Sequence, residues 1–130
     1  MGYGISTTLD LTVTEALDAV RAALAGQGFG VLTEIDMAAT LRAKLGVEIP
    51  PQVILGACNP PSAHRALGVE ESIGLLLPCN VVVRAGQDGR TVVEVLDPQM
   101  MVEVTGNDAL RPVAEDVANR LRSALAALTH

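Results

Sequence analysis

The last quarter of the chain carries a single apolar stripe, and such a stripe needs a partner surface. Leu110, Val113, Val117, Leu121, Leu125 and Leu128 recur at three- and four-residue spacing behind Asn107, a residue suited to capping a helix start. Arg120 and Arg122 fall in the later half, where the helix dipole favours cations. A helix of this kind buries one side only, so the rest of the fold must supply a matching apolar face. Near the other end, Thr12-Val13-Thr14-Glu15 forms a capping box, and Val13, Leu17, Val20 and Leu24 make a second stripe that stops at Gly26.

Outside these helices the hydrophobic period becomes two, which is the period of strands with one covered face. Tyr3, Ile5, Thr7 and Leu9 alternate with Gly4, Ser6, Thr8 and Asp10 and predict a first strand. Phe29, Val31, Thr33 and Ile35 predict a second. Asp36 then caps a short helix carrying Met37, Leu41 and Leu45, and Val53-Ile54-Leu55 reads as a short buried strand. Asn59 followed by Pro60 suits a helix start, and this third helix is expected to run to Leu67. Leu75 to Val83 and Thr91 to Leu96 predict a hairpin across Gly86-Gln87-Asp88-Gly89, whose glycines and aspartate tolerate positive φ. Met100 to Val104 fits either a covering segment or a short extra strand. The order predicts an α+β domain with a largely antiparallel sheet and the two longer helices on one face.

A chain of 130 residues with 49% apolar and 18% charged side chains suffices for one domain with its own core. The longest nearly apolar run, Ile73 to Val83, is interrupted by Pro78 and Asn80 and falls short of the ~20 residues that span a bilayer. The first residues show no basic region followed by an apolar block and cleavage site, so a cytoplasmic location is expected. A net charge of −6, with one Tyr and one Phe, argues against nucleic acid and anionic membranes as partners.

The one unusual constellation is a pair of cysteine-asparagine steps, Cys58-Asn59 and Cys79-Asn80. With Asn59 capping a helix, Cys58 lies just outside the positive end of that helix, an environment that favours thiolate. Cys58 and Cys79 would make a redox pair if their strands run together, and with His64 on the third helix they would offer three ligands to a soft metal ion. No C-x-x-C or H-x-x-x-H spacing supports a zinc site, and two buried, unreactive cysteines account for the same residues. Gly26-Gln27-Gly28-Phe29-Gly30 leaves a helix and enters a strand, the reverse of a dinucleotide-binding turn. Ser6, Ser62 and Ser72 lack a nucleophile elbow, and Glu70, Glu71, Asp97 and Glu103 read as solvated acids, so no catalytic residue is assigned.

Several long blocks, however, resemble one prokaryotic family, the domain of unknown function 302. They are Glu34-Ile35-Asp36-Met37 leading to Leu41 and Gly46; Leu55-Gly56-Ala57-Cys58-Asn59-Pro60 with Ala63 and Leu67; Ile73-Gly74-Leu75-Leu76-Leu77-Pro78-Cys79-Asn80-Val81-Val82-Val83; and Asp97-Pro98. The resemblance covers nearly the whole chain. It implies a curved antiparallel sheet backed by helices, similar in topology to the repeat of the TATA-box-binding protein, and often a homodimer. It carries no activity, cofactor or catalytic residue, and fold likeness brings no DNA binding to this acidic chain. The expectation is therefore a small homodimeric binding or regulatory module for a small ligand or protein, with Cys58, Asn59, His64, Cys79 and Asn80 as its candidate residues. The alternative is a thiol site, redox or metal-binding, at Cys58 and Cys79. A third reading makes the chain an oligomeric scaffold with Met100 and Met101 at a subunit contact.

Overall fold

The computed structural model describes residues 2–129. Five strands form one antiparallel sheet: β1 (Gly4–Leu9), β2 (Gly30–Asp36), β3 (Gln52–Cys58), β4 (Cys79–Ala85) and β5 (Thr91–Leu96). Their spatial order is β1-β5-β4-β3-β2, so the first two strands occupy the two edges. The connection between those edges is α1 (Val13–Ala25), which crosses one face of the sheet. Its start is the expected capping box: Glu15 N–H donates to Thr12 Oγ1 at 3.1 Å, and Thr12 N–H donates to Glu15 Oε1 at 3.0 Å.

The terminal helix α5 (Arg111–Leu128) lies beside α1 and buries Val113, Val117, Leu121 and Leu125. Facing them are Val53, Leu55 and Ala57 of β3, Val81 and Val83 of β4, and Val93 and Val95 of β5, all buried. These strand residues sit directly opposite one another in register, Leu55 on Val81 and Val83 on Val93, so the period-2 pattern becomes one continuous apolar surface. The stripe of α5 and the alternation of the strands are thus two halves of one core.

Shorter elements close the ends. Asp36 caps α2 (Met37–Leu45) by accepting from Ala39 N–H at 2.9 Å. Helix α3 (Pro60–Val69) follows β3, and a 3-10 segment over Glu71–Leu76 leads to β4. The hairpin turn takes positive φ at Asp88 (56°) and Gly89 (72°), as those residue types predict.

Four expectations need correction. The strand expected over Leu75 to Val83 begins only at Cys79, because β4 lies in the middle of the sheet and Pro78 has no N–H for a ladder. The second strand keeps its expected face only at Phe29 and Val31. A bulge between Val31 and Thr33 then turns Thr33 and Ile35 outward. Met100–Thr105 is neither strand nor irregular cover but a short helix, α4. Asn107 caps a 3-10 turn, Asp108–Leu110, from which α5 continues.

Candidate functional site

Where β3 ends and β4 begins, the two strands part. Cys58 runs through Asn59 into α3, whereas Pro78 arrives from the 3-10 segment. The gap between them opens a cavity of about 310 Å³. Its floor comes from the sheet end, at Ala57, Cys58 and Cys79, and from Phe29 just before β2. Ser62, Ala63, Ala66 and Leu67 of α3 form one wall, Val113 and Val117 of α5 another, and Met101 of α4 and Leu77-Pro78 complete the lining. Among the described residues no charged side chain contributes. Leu32 and Leu67 on its wall are 65% and 46% exposed, and neighbouring Leu75 is 87% exposed, so apolar surface continues outside the cavity.

Asn59 holds the corner together. Its Oδ1 accepts from Ser62 N–H at 3.1 Å, which caps α3. Its Nδ2 donates to the carbonyls of Gly28 at 3.3 Å and Gln27 at 3.5 Å, in the turn between α1 and β2. With only 8% exposure and both ends of the amide engaged, Asn59 is a structural tie between three elements. A second tie runs alongside: Asp116 of α5 accepts from Arg65 of α3 at 3.1 Å and from Arg120 at 3.2 Å, and Arg120 donates to Gln27 O at 3.3 Å. These pairs are solvent-accessible and fix position more than they add stability.

Cys58 and Cys79 do come together on neighbouring strands, and both are free. The register sets Cys79 opposite Ala57, leaving Cys58 one residue beyond. Cys79 packs with Ala57 against the core, and Cys58, one residue beyond that pairing, also lines the cavity. Burial, with a smaller contribution from Cys58 nearby, pushes the Cys79 thiol up to about 11. It is protonated at neutral pH and behaves as a small apolar wall group.

The remaining candidates lie elsewhere. His64 is exposed on α3 and does not line the cavity, and among the described residues no group of three His, Cys, Asp or Glu side chains is arranged to hold a metal. Asn80 is exposed on the helix-free face of the sheet, beside a groove lined by Tyr3, Gln52 and the Arg84–Glu94 ion pair. The sequence reasoning reached Cys58, Asn59 and Cys79 but missed Phe29, Ser62, Ala66, Pro78 and Val117, which join them only because non-adjacent elements meet. A larger groove, about 710 Å³, lies among α1, α2 and the β4–β5 turn. Its two arginines already pair, Arg42 with Glu48 at 2.8 Å and Arg90 with Asp10 at 2.9 Å, so it offers no free cation to a ligand.

Gly56 shows how tightly β3 is packed next to the cavity. A Cβ there would lie 2.2 Å from Thr33 Oγ1 and 2.8 Å from Pro78 Cγ, so only glycine lets Pro78 and Thr33 close over β3.

Comparison with known proteins agrees with the architecture. A solved structure described as the crystal structure of uncharacterized conserved protein DUF302 from Bacillus stearothermophilus superposes with a TM-score of 0.91 at 29% identity, over 98% of this chain and 99% of that one. Curated proteins yield no match. Residues 5–128 match the family described as Domain of unknown function DUF302, and the chain belongs to that family.

Proposed function

We propose that this protein is a binding module whose occupant is a small, mainly apolar molecule held between α3, α5 and the parting ends of β3 and β4. The observation that carries the reading is the cavity of about 310 Å³ with no charged lining residue. That volume is at the lower end of ligand pockets and about twice that of an apolar cavity known to take benzene. The reading needs no catalytic residue. N-phenyl-1-naphthylamine, a neutral dye that brightens in apolar surroundings, tests it. A saturable rise with one site per chain is expected, lost in Ala63→Phe while the helical circular dichroism persists. No rise, or an equal rise in Ala63→Phe, refutes it.

A homodimer in the cytoplasm belongs to the same proposal. Ile35, Ile54 and Val82 are cross-strand neighbours on the helix-free face and supply an apolar row for a second copy. Two free cysteines suit a reducing compartment, and among the described residues no helix is long and apolar enough to cross a membrane. Light scattering at micromolar concentration tests the dimer, and a monomer there refutes it. A second reading, thiol chemistry, is supported by Cys58 and Cys79 both lining the cavity. It requires a titrating thiol or retained metal, and slow alkylation of both cysteines with no metal bound rejects it.

A further inference from the structure

The cavity contains one polar group that the fold leaves unused. Ser62 is only 4% exposed, yet its hydroxyl has no hydrogen-bond partner among the described residues. Among the described residues no fully enclosed polar side-chain atom lacks a partner, so the unpartnered Ser62 Oγ is not sealed off, and the space that Ser62 lines is this cavity. A ligand acceptor in the cavity would supply the hydrogen bond that no protein group makes with this hydroxyl. The other polar group there, Asn59, is already spent on Ser62 N–H and the turn carbonyls.

The backbone around Ser62 says what kind of acceptor fits. Ser62 stands in the first turn of α3, a ten-residue helix whose start would ordinarily present free N–H groups to an anion. Here Pro60 and Pro61 have none, Ser62 N–H goes to Asn59 Oδ1, and Ala63 N–H goes to Asn59 O at 2.9 Å. The helix end therefore supplies positive potential but no donors for a carboxylate or phosphate, and no cationic side chain lines the cavity. A neutral oxygen with partial negative charge matches both facts.

Resting on the binding reading above, we infer that the cavity takes a medium-chain acyl compound with a neutral carbonyl, its chain on the Phe29, Met101 and Val117 side chains and its oxygen accepting from Ser62 Oγ. The volume corresponds to about a dozen non-hydrogen atoms, judged against the benzene-sized cavity. An acyl carboxylate is excluded from this position because its charge would lose water without gaining a cation.

Calorimetric titration of the full chain with 2-nonanone, 1-chlorooctane and octanoate at pH 8 tests the inference. Ser62→Ala is the informative variant, because the capping donor is the backbone N–H and stays in place, and alanine favours helix. The ketone should bind one per chain and lose about three- to tenfold in Ser62→Ala, the range of one net hydrogen bond. The chloroalkane should bind both proteins equally, and octanoate about tenfold or more below the ketone. Equal ketone affinity in wild type and Ser62→Ala, or octanoate binding as tightly as the ketone, overturns the carbonyl anchor and leaves the apolar cavity standing. Failure of the ketone and the chloroalkane alike to bind refutes both readings.

Discussion

Replacing Asn59 by alanine removes two different functions of one side chain, and their sizes follow from its contacts. Loss of the cap on α3 costs about 1 kcal/mol. The two donations to the α1–β2 turn are long, 3.3 and 3.5 Å, and are worth about 0.5 kcal/mol each. The carbonyls left behind do not add a large burial penalty, since Arg120 still donates to Gln27 O and Gly28 is exposed. The sum is about 2 kcal/mol. With a urea slope of about 2 kcal/mol per molar, the unfolding midpoint falls by about 1 M. Asn59→Ser separates the two functions: the hydroxyl still caps α3, but the shorter side chain does not span to the Gln27 and Gly28 carbonyls, so about half the loss is expected. Urea titration followed by circular dichroism measures both variants. A shift below about 0.3 M for Asn59→Ala, or an Asn59→Ser variant less stable than Asn59→Ala, refutes the assignment of Asn59 as a two-sided tie.

Other consequences are as direct. Cys79 has a folded-state pKa raised from 9.0 to about 11, so its contribution is complete below pH 9 and is lost as pH climbs to about 11. Wild type should therefore lose on the order of 2 kcal/mol more than Cys79→Ala between those limits in pH-dependent urea titrations, and parallel curves would contradict it. Gly56→Ala should destabilise by about 1–3 kcal/mol through collision with Thr33 and Pro78, and Thr33→Ala should restore part of that loss, as a double-mutant cycle reads. Leu55→Ala, in a fully buried site between β2 and β4, should cost about 2–5 kcal/mol by thermal or urea unfolding.

Much of the architecture was legible because local and global preferences agree. Thr12 with Glu15, Asp36, and Asn59 with Pro60 each mark a helix start that the fold uses, and the stripe of α5 meets the alternating valines of three strands. The misread places are those where position in the sheet decides. Leu75 to Leu77 are as apolar as a strand, but the ladder cannot pass Pro78 in a central strand. Val31 to Ile35 alternates without a fault, yet the bulge at Leu32 reverses its faces. The site was half legible. Cys58, Asn59 and Cys79 stood out as repeated residue pairs, whereas Ser62 became a binding candidate only once its missing partner could be seen. His64 followed Cys58 by six residues, but α3 carries it outward, away from the thiols.

The claim that the parting ends of β3 and β4 frame a ligand cavity is tested most directly by amide NMR spectra of the uniformly labelled protein during titration with 2-nonanone. Saturable shifts should cluster on Cys58, Asn59, Ser62, Ala66, Cys79 and Val117, while Asn80, Arg84 and Glu94 on the open face stay still. No saturable change at the first group, or changes confined to the second, would contradict the account.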